Sequence, residues 1–275
     1  MAYVAKMNSF IASLGALIAA FAAAFAAAPA VAGDAHARTA LTSGWAEADG
    51  ARMAGLTIAL APGWKTYWRQ PGDAGVPPRF DWTGSENVAD VAVIWPRPHA
   101  FDSFGYRTIG YEGEVTLPLR VIALDPDKPI TLRLAFDYGV CSDICVPAHD
   151  RLALIIAPDG GAGSASIAAA LATRIVLAAE AGLIVERCTI AGAGDARRFE
   201  GAFRPGAAFD AAPAVVIEAG DDIWFAPAEV RVSDGVVHAS AVMETLTPDL
   251  WVDRANIVVT LLGEDQAISV PACGG

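Results

Sequence analysis

The sequence predicts a mainly β protein of two β-sandwich domains, with one helix after the linker that joins them. Three observations carry this. Residues 130–138 alternate strictly, with Ile130, Leu132, Leu134, Phe136 and Tyr138 on one face and Thr131, Arg133, Ala135 and Asp137 on the other, the period of a half-buried strand. Short β-rich runs separated by turn signals recur on either side of it. Asp159-Gly160-Gly161-Ala162-Gly163-Ser164 has the composition of a linker and divides the chain into two stretches of domain size.

The first segment reads as targeting rather than fold. Lys6 precedes an apolar, alanine-rich run from Phe10 to about Ala28, Pro29 breaks it, and Ala30-Val31-Ala32 has the small-x-small pattern of a signal-peptidase site. Residues 1–32 are therefore expected to be a cleaved signal peptide, with Ala35-His36-Ala37 as a second candidate site. A membrane anchor is the competing reading, since the run is long enough to span a bilayer. Small residues rather than Leu and Val fill its end, which favours cleavage. No later window approaches 18 consecutive apolar residues, so the mature chain is expected in the periplasm with no membrane span. The formal charge of −12 becomes −13 without Lys6, the one charged side chain in residues 1–32. That balance disfavours nucleic acid and anionic lipid as partners.

From Arg38 to Pro158 the candidate strands are Leu56–Leu60, Val88–Ile94, Glu114–Leu119, Ile130–Tyr138 and Arg151–Ile156. After the linker, Ile167, Leu171, Ile175 and Ala178 recur about four apart and predict a helix over Ser166–Ala181. The second sandwich, residues 165–275, has candidate strands at Leu183–Ile190, Ala214–Glu218, Ile223–Phe225, Glu229–Val232, Val236–Val242, Asn256–Leu262 and Ala267–Val270. Asp234-Gly235 makes a hairpin turn between two of them.

Four cysteines in an exported chain occupy an oxidising compartment, where disulfides persist. They permit three connectivities. Local pairing of Cys141 with Cys145 leaves Cys188 and Cys273 to each other. On the loop-length relation, closing about five residues removes only roughly 2 kcal/mol of unfolded-chain entropy, whereas a loop of about 86 residues removes roughly 4–5 kcal/mol. The short bridge can open without threatening the fold, and the long one reads as structural. Reversible opening is what a redox pair needs, with the second thiol resolving a mixed disulfide at high effective concentration.

Two other readings of Cys141 and Cys145 stand beside this one. Cys-x₃-Cys between two strands also suits an inert hairpin staple in a non-catalytic binding module. With His149 four residues on, the pair also suits a Cu(I) or Zn(II) site. Asp143 lies between the thiols, placed to raise a thiol pKa by like-charge repulsion or to serve only as a turn residue. Trp64, Trp68, Trp82 and Trp95 read as core and corner packing. No Ser-His-Asp signature, P-loop or dinucleotide fingerprint is present.

Several separate motifs then coincide. Gly63-Trp64-Lys65-Thr66-Tyr67-Trp68-Arg69 leads into Pro71-Gly72-Asp73-Ala74-Gly75-Val76-Pro77-Pro78, followed by Phe80-Asp81-Trp82, Trp95-Pro96-Arg97-Pro98, Phe104-Gly105, Gly110-Tyr111-Glu112-Gly113-Glu114-Val115 and the Cys141/Cys145 segment with Pro147. Together they resemble the amino-terminal periplasmic domain of the DsbD family of thiol:disulfide interchange proteins, in its ScsB-like branch, over roughly residues 40–158, within an expected redox domain of residues 38–158. The resemblance implies an immunoglobulin-like sandwich whose two cysteines take electrons from one partner and pass them to another, with no cofactor or metal. By it, Cys145 matches the cysteine that forms mixed disulfides and Cys141 the one that resolves them. Phe104, in Asp102-Ser103-Phe104-Gly105, matches the shielding aromatic of a cap loop, and Tyr67 an aromatic flanking the cysteines. The implied partners are thioredoxin-like periplasmic proteins and a membrane electron donor supplied by other chains, because the family's membrane and thioredoxin-like domains are not found in this sequence.

Overall fold

The alternating segment at 130–138 becomes the centre of a β-sandwich. The computed structural model describes residues 33–34, 36–103, 106–192, 197–220, 222–245 and 252–271. In chain order its first half contributes β1 (Gly33–Asp34), β2 (Ala37–Ala46), β3 (Arg52–Leu60), β4 (Lys65–Gly72), β5 (Arg79–Asp81), β6 (Val88–Val93), β7 (His99–Ser103), β8 (Tyr106–Glu112), β9 (Glu114–Ala123), β10 (Ile130–Cys141) and β11 (Cys145–Ile156). One sheet has the order β1-β2-β3-β9-β6. The other runs β11-β10-β4-β8-β7, with β5 also on β10. Leu56, Leu117, Leu119 and Val121 from the first sheet share one buried cluster with Trp68, Leu132, Leu134, Phe136 and Tyr138 from the second. The predicted inward face of 130–138 is therefore the core face. Trp64, Trp82 and Trp95 pack against the same cluster. Asp150 is buried there, its Oδ2 accepting from Thr39 Oγ1 at 2.7 Å and from the Tyr138 hydroxyl at 2.9 Å. Two hydroxyl donors make that burial tolerable.

The second half contributes α1 (Ala165–Ala172), β12 (Val176–Leu177), β13 (Ile184–Ala191), β14 (Arg198–Arg204), β15 (Ala214–Glu218), β16 (Ile223–Phe225), β17 (Glu229–Ser233), β18 (Val236–Thr245), β19 (Val258–Leu262) and β20 (Ala267–Pro271). Its sheets run β12-β20-β19-β15 and β13-β14-β18-β16, with β17 also on β18. Phe199, Phe203, Ile217, Val237, Val259, Leu261 and Ile268 form their shared core. The architecture is thus mostly β with one α-helix among the described residues, as the sequence predicts. Among the described residues no helix is long and apolar enough to cross a membrane. The expected signal peptide lies outside the described residues.

The two halves meet through both apolar and charged contacts. Val216, Leu262 and Ala267 join the first cluster. Arg69 holds Glu218 by two bonds, Nε to Oε1 at 2.9 Å and Nη2 to Oε2 at 3.0 Å.

The helix is shorter than the periodicity of 166–181 predicts. It stops at Ala172 because the next residues find tertiary partners: Arg97 N–H donates to Thr173 O at 2.8 Å, and Ile175 N–H to Trp95 O at 3.1 Å. Val176–Leu177 then pairs in parallel with Ile268–Ser269 of β20. The helix lies on the outside of β3 and β9, where Ile167 is fully buried. Gly55 makes room for it, since a Cβ there would lie 2.8 Å from Ile167 Cγ1.

Candidate active site

The two thiols are brought together by the register of one hairpin. In β10–β11 every residue from Ile130 to Cys141 faces a partner, and the last pair is Cys141 opposite Cys145. Directly opposed residues of antiparallel strands carry their Cβ atoms about 4.5–5.5 Å apart, close to what a disulfide spans. Both cysteines are free thiols in this structure. Core residues of β10 have even numbers, so Cys141 stands on the outer face, half-buried, while Cys145 is exposed. Ser142, Asp143 and Ile144 form the turn, and Ile144 is largely exposed beside Cys145.

The neighbouring strand supplies the rest. In the ladder of β10 with β4, Cys141 faces Lys65. Lys65 and Tyr67 are two apart on that strand and so share the thiols' face. The Tyr67 hydroxyl lies 3.0 Å from Cys145 Sγ. Its ring reaches this position through a slot between glycines. A Cβ on Gly75 would lie 2.7 Å from Tyr67 Cδ1, and one on Gly139 would lie 3.1 Å from Tyr67 Cε2.

Lys65 Nζ lies 3.3 Å from Glu112 Oε1 and 4.3 Å from the centroid of the Phe101 ring, which β7 presents. A carboxylate and an aromatic face thus hold one ammonium beside Cys141.

This setting shifts two of the groups. Burial first, then the hydrogen bonds with Cys141 and Cys145, push the Tyr67 hydroxyl well above the ordinary phenol range. Tyr67 therefore stays protonated, and when Cys145 ionises the hydroxyl is its donor. Burial first, then the hydrogen bond with Cys145, push the Cys141 thiol up, while the Tyr67 hydroxyl and the Lys65 charge pull it down. The charges acting on Cys141 come from across the sheet; Asp143 is an exposed turn residue.

The structure does not gather the copper set. His149 shares the outer face with Cys145 but is four residues along β11, about 13 Å at strand rise. Its Nδ1 pairs instead with Asp137, the residue opposite it. Among the described residues no group of three or more His, Cys, Asp or Glu side chains is arranged to hold a metal ion. Phe104 lies outside the described residues. Cys188, on β13, is disulfide-bonded, and its expected partner Cys273 lies outside the described residues.

Residues 36–157 match the family model described as thiol:disulfide interchange protein DsbD, N-terminal. That segment belongs to the DsbD amino-terminal family. The DsbD segment takes in β2 to β11, with both free thiols, Tyr67 and Lys65. Its family makes it a thiol:disulfide interchange domain. The chain is also similar to the crystal structure of the N-terminal periplasmic domain of ScsB from Proteus mirabilis. The TM-score is 0.67 at 22% identity, covering 88% of this chain and 94% of that chain. At that identity the likeness concerns the fold, and its coverage carries it past the DsbD segment into the second half. No curated protein matches the sequence significantly.

Lys65, Glu112, Gly75 and Gly139 stand in the sequence motifs without an assigned role, and Phe101 lies outside those motifs. The usable signal was the two-residue spacing of Lys65 and Tyr67 on one strand. It puts both on one face, but only the ladder with β10 shows that this is the face of the thiols.

Proposed function

We propose that this protein is a periplasmic relay of reducing equivalents, exchanging disulfides with thioredoxin-like partners through Cys141 and Cys145. The observation that carries the reading is the asymmetry of the opposed pair. Cys145 is exposed, with a hydroxyl donor 3.0 Å from its sulfur, and Cys141 is half-buried behind it.

Cys145 is the thiol a partner disulfide can reach. As thiolate it attacks one partner sulfur, breaks the partner's S–S bond and forms a mixed disulfide, releasing one partner thiolate. Cys141 then attacks Cys145 Sγ, forms the Cys141–Cys145 bond and releases the second partner thiolate. The pair loses two electrons and the partner gains them. A second dithiol partner, a membrane electron donor, resets the pair by the reverse steps. Phe104 shields the thiols between encounters. Cys188 bonds Cys273 and ties down the carboxy-terminal end. The signal peptide is residues 1–32, the redox domain 38–158 and the second domain 165–275, whose opening helix packs back on β3 and β9 of the redox domain.

The test is equilibration of the full mature chain against glutathione or dithiothreitol buffers, read by thiol alkylation and mass spectrometry. Reversible two-electron reduction of Cys141–Cys145 is expected at a potential above the roughly −300 mV below which structural disulfides lie. A pair that stays oxidised until the protein unfolds would refute the relay.

A further inference from the structure

We infer that Lys65 is a positioning residue for the resolving step: its ammonium, held by Phe101 and Glu112 opposite Cys141, stabilises the Cys141 thiolate that displaces the partner. The inference rests on the relay reading and adds to it a residue outside the cysteine motif.

The argument starts from register. Cys141 and Lys65 are direct cross-strand neighbours on one face, so their Cβ atoms are within about 5.5 Å. A lysine in that position is ordinarily a solvated, mobile charge. Here it is anchored at both sides, by Glu112 Oε1 at 3.3 Å and by the Phe101 ring at 4.3 Å, and its side chain is only 30% exposed. Thiolate, not thiol, is the attacking species, and a fixed neighbouring cation raises its population.

The groups around Cys141 are few. Cys145 on β11 opposes its ionisation, the Tyr67 hydroxyl and Lys65 on β4 favour it, and Glu112 on β8 faces Lys65 and partly offsets it. During resolution Cys145 is bonded to the partner and carries no charge. Its repulsion is then absent, and the favourable charge of Lys65 remains. Lys65 thus acts most strongly in the state in which Cys141 must attack.

The size of the effect can be bounded. A tenfold loss of thiolate at neutral pH is offset about threefold, because a more basic thiolate is intrinsically more nucleophilic, with a Brønsted slope of about 0.4–0.5. Losing the charge should therefore slow resolution roughly three- to fourfold.

The experiment has two arms. In full-length protein carrying Cys145→Ser, the pH dependence of Cys141 alkylation by iodoacetamide is measured with Lys65 intact, Lys65→Met, Lys65→Arg and Glu112→Gln. With both cysteines present, the decay of the mixed disulfide formed with an oxidised thioredoxin is followed by acid quenching and gel shift. Lys65→Met is expected to move the alkylation midpoint to higher pH and prolong the mixed disulfide three- to fourfold. Lys65→Arg should restore both, and Glu112→Gln should move the midpoint the opposite way. A midpoint unmoved by Lys65→Met, an Arg variant as slow as Met, or a Glu112→Gln shift in the same direction as Lys65→Met overturns the inference. If the alkylation arm behaves as expected but the intact pair never reduces thioredoxin, the relay reading fails while the electrostatic role of Lys65 stands.

Discussion

The Tyr67 hydroxyl stands 3.0 Å from the sulfur of Cys145, on a ring set between Gly75 and Gly139. Donor and sulfur come from strands that are not neighbours, and β10 lies between them. The ring must cross a strand to reach the thiol, and a glycine at position 139 is what lets it cross.

Removing only the hydroxyl isolates its contribution. Tyr67→Phe keeps the ring and loses a bond to a charged acceptor, a bond worth about 1.5–3 kcal/mol in general. Because Cys145 is exposed, water replaces part of this. Mixed-disulfide formation should slow by roughly three- to tenfold, measured by stopped-flow with a small disulfide, with little change in melting temperature.

Blocking the slot should reproduce that loss by another route. A Cβ at Gly75 would lie 2.3 Å from Pro71 Cβ and 2.7 Å from the Tyr67 ring, so something must shift. Gly75→Ala is expected to destabilise by about 1–3 kcal/mol, in the range of overpacked sites. It should also slow exchange as Tyr67→Phe does. Denaturant titration and the same stopped-flow assay check both, and wild-type exchange in Gly75→Ala would show that the ring position is unimportant.

Stability of the dithiol form should fall in alkali. The Cys141 thiol is held above its unfolded value, so between the two values the unfolded chain binds fewer protons than the native one. The contribution is intact below the unfolded thiol value and is lost as pH rises from there through the folded value. Urea midpoints of reduced protein should decline from about pH 9 upward relative to a Cys141→Ser variant, which lacks the ionisation. Parallel curves would show that Cys141 is not shifted.

The long disulfide should matter to the fold and not to exchange. Replacing Cys188 and Cys273 by Ala should lower stability by up to roughly 4–5 kcal/mol on the loop-entropy relation. The reduction potential of Cys141–Cys145 should be unchanged. Free thiols at both positions in native protein would remove the basis of this expectation.

Where alternation was strong, the sequence was enough. Ile130–Tyr138 placed the core face, and Ala214–Glu218 and Ile223–Phe225 were read with the boundaries the structure has. Strand β2 was not legible, because its buried positions are Ala37, Thr39 and Gly44, small residues that carry little hydrophobic signal. The helix was overextended because periodicity senses local preference alone, whereas Thr173 and Ile175 are claimed by Arg97 and Trp95 from distant sequence. At the site, the cysteines and Tyr67 were legible from spacing and family resemblance. The anchoring of Lys65 by Phe101 was not, because it joins side chains 36 residues apart in the sequence, on strands that only the tertiary fold brings together.

The glycine-rich stretch 159–164 has the composition of a free joint, yet it is buckled down. Gly160 bridges Trp45, Gly161 N–H donates to Gly44 O, and α1 just beyond it buries Ile167 against β3 and β9. Anyone wishing to transplant the redox module into another protein should therefore cut after Ala172 rather than in the glycines. A graft ending at Pro158 would discard a side wall of the module it means to carry.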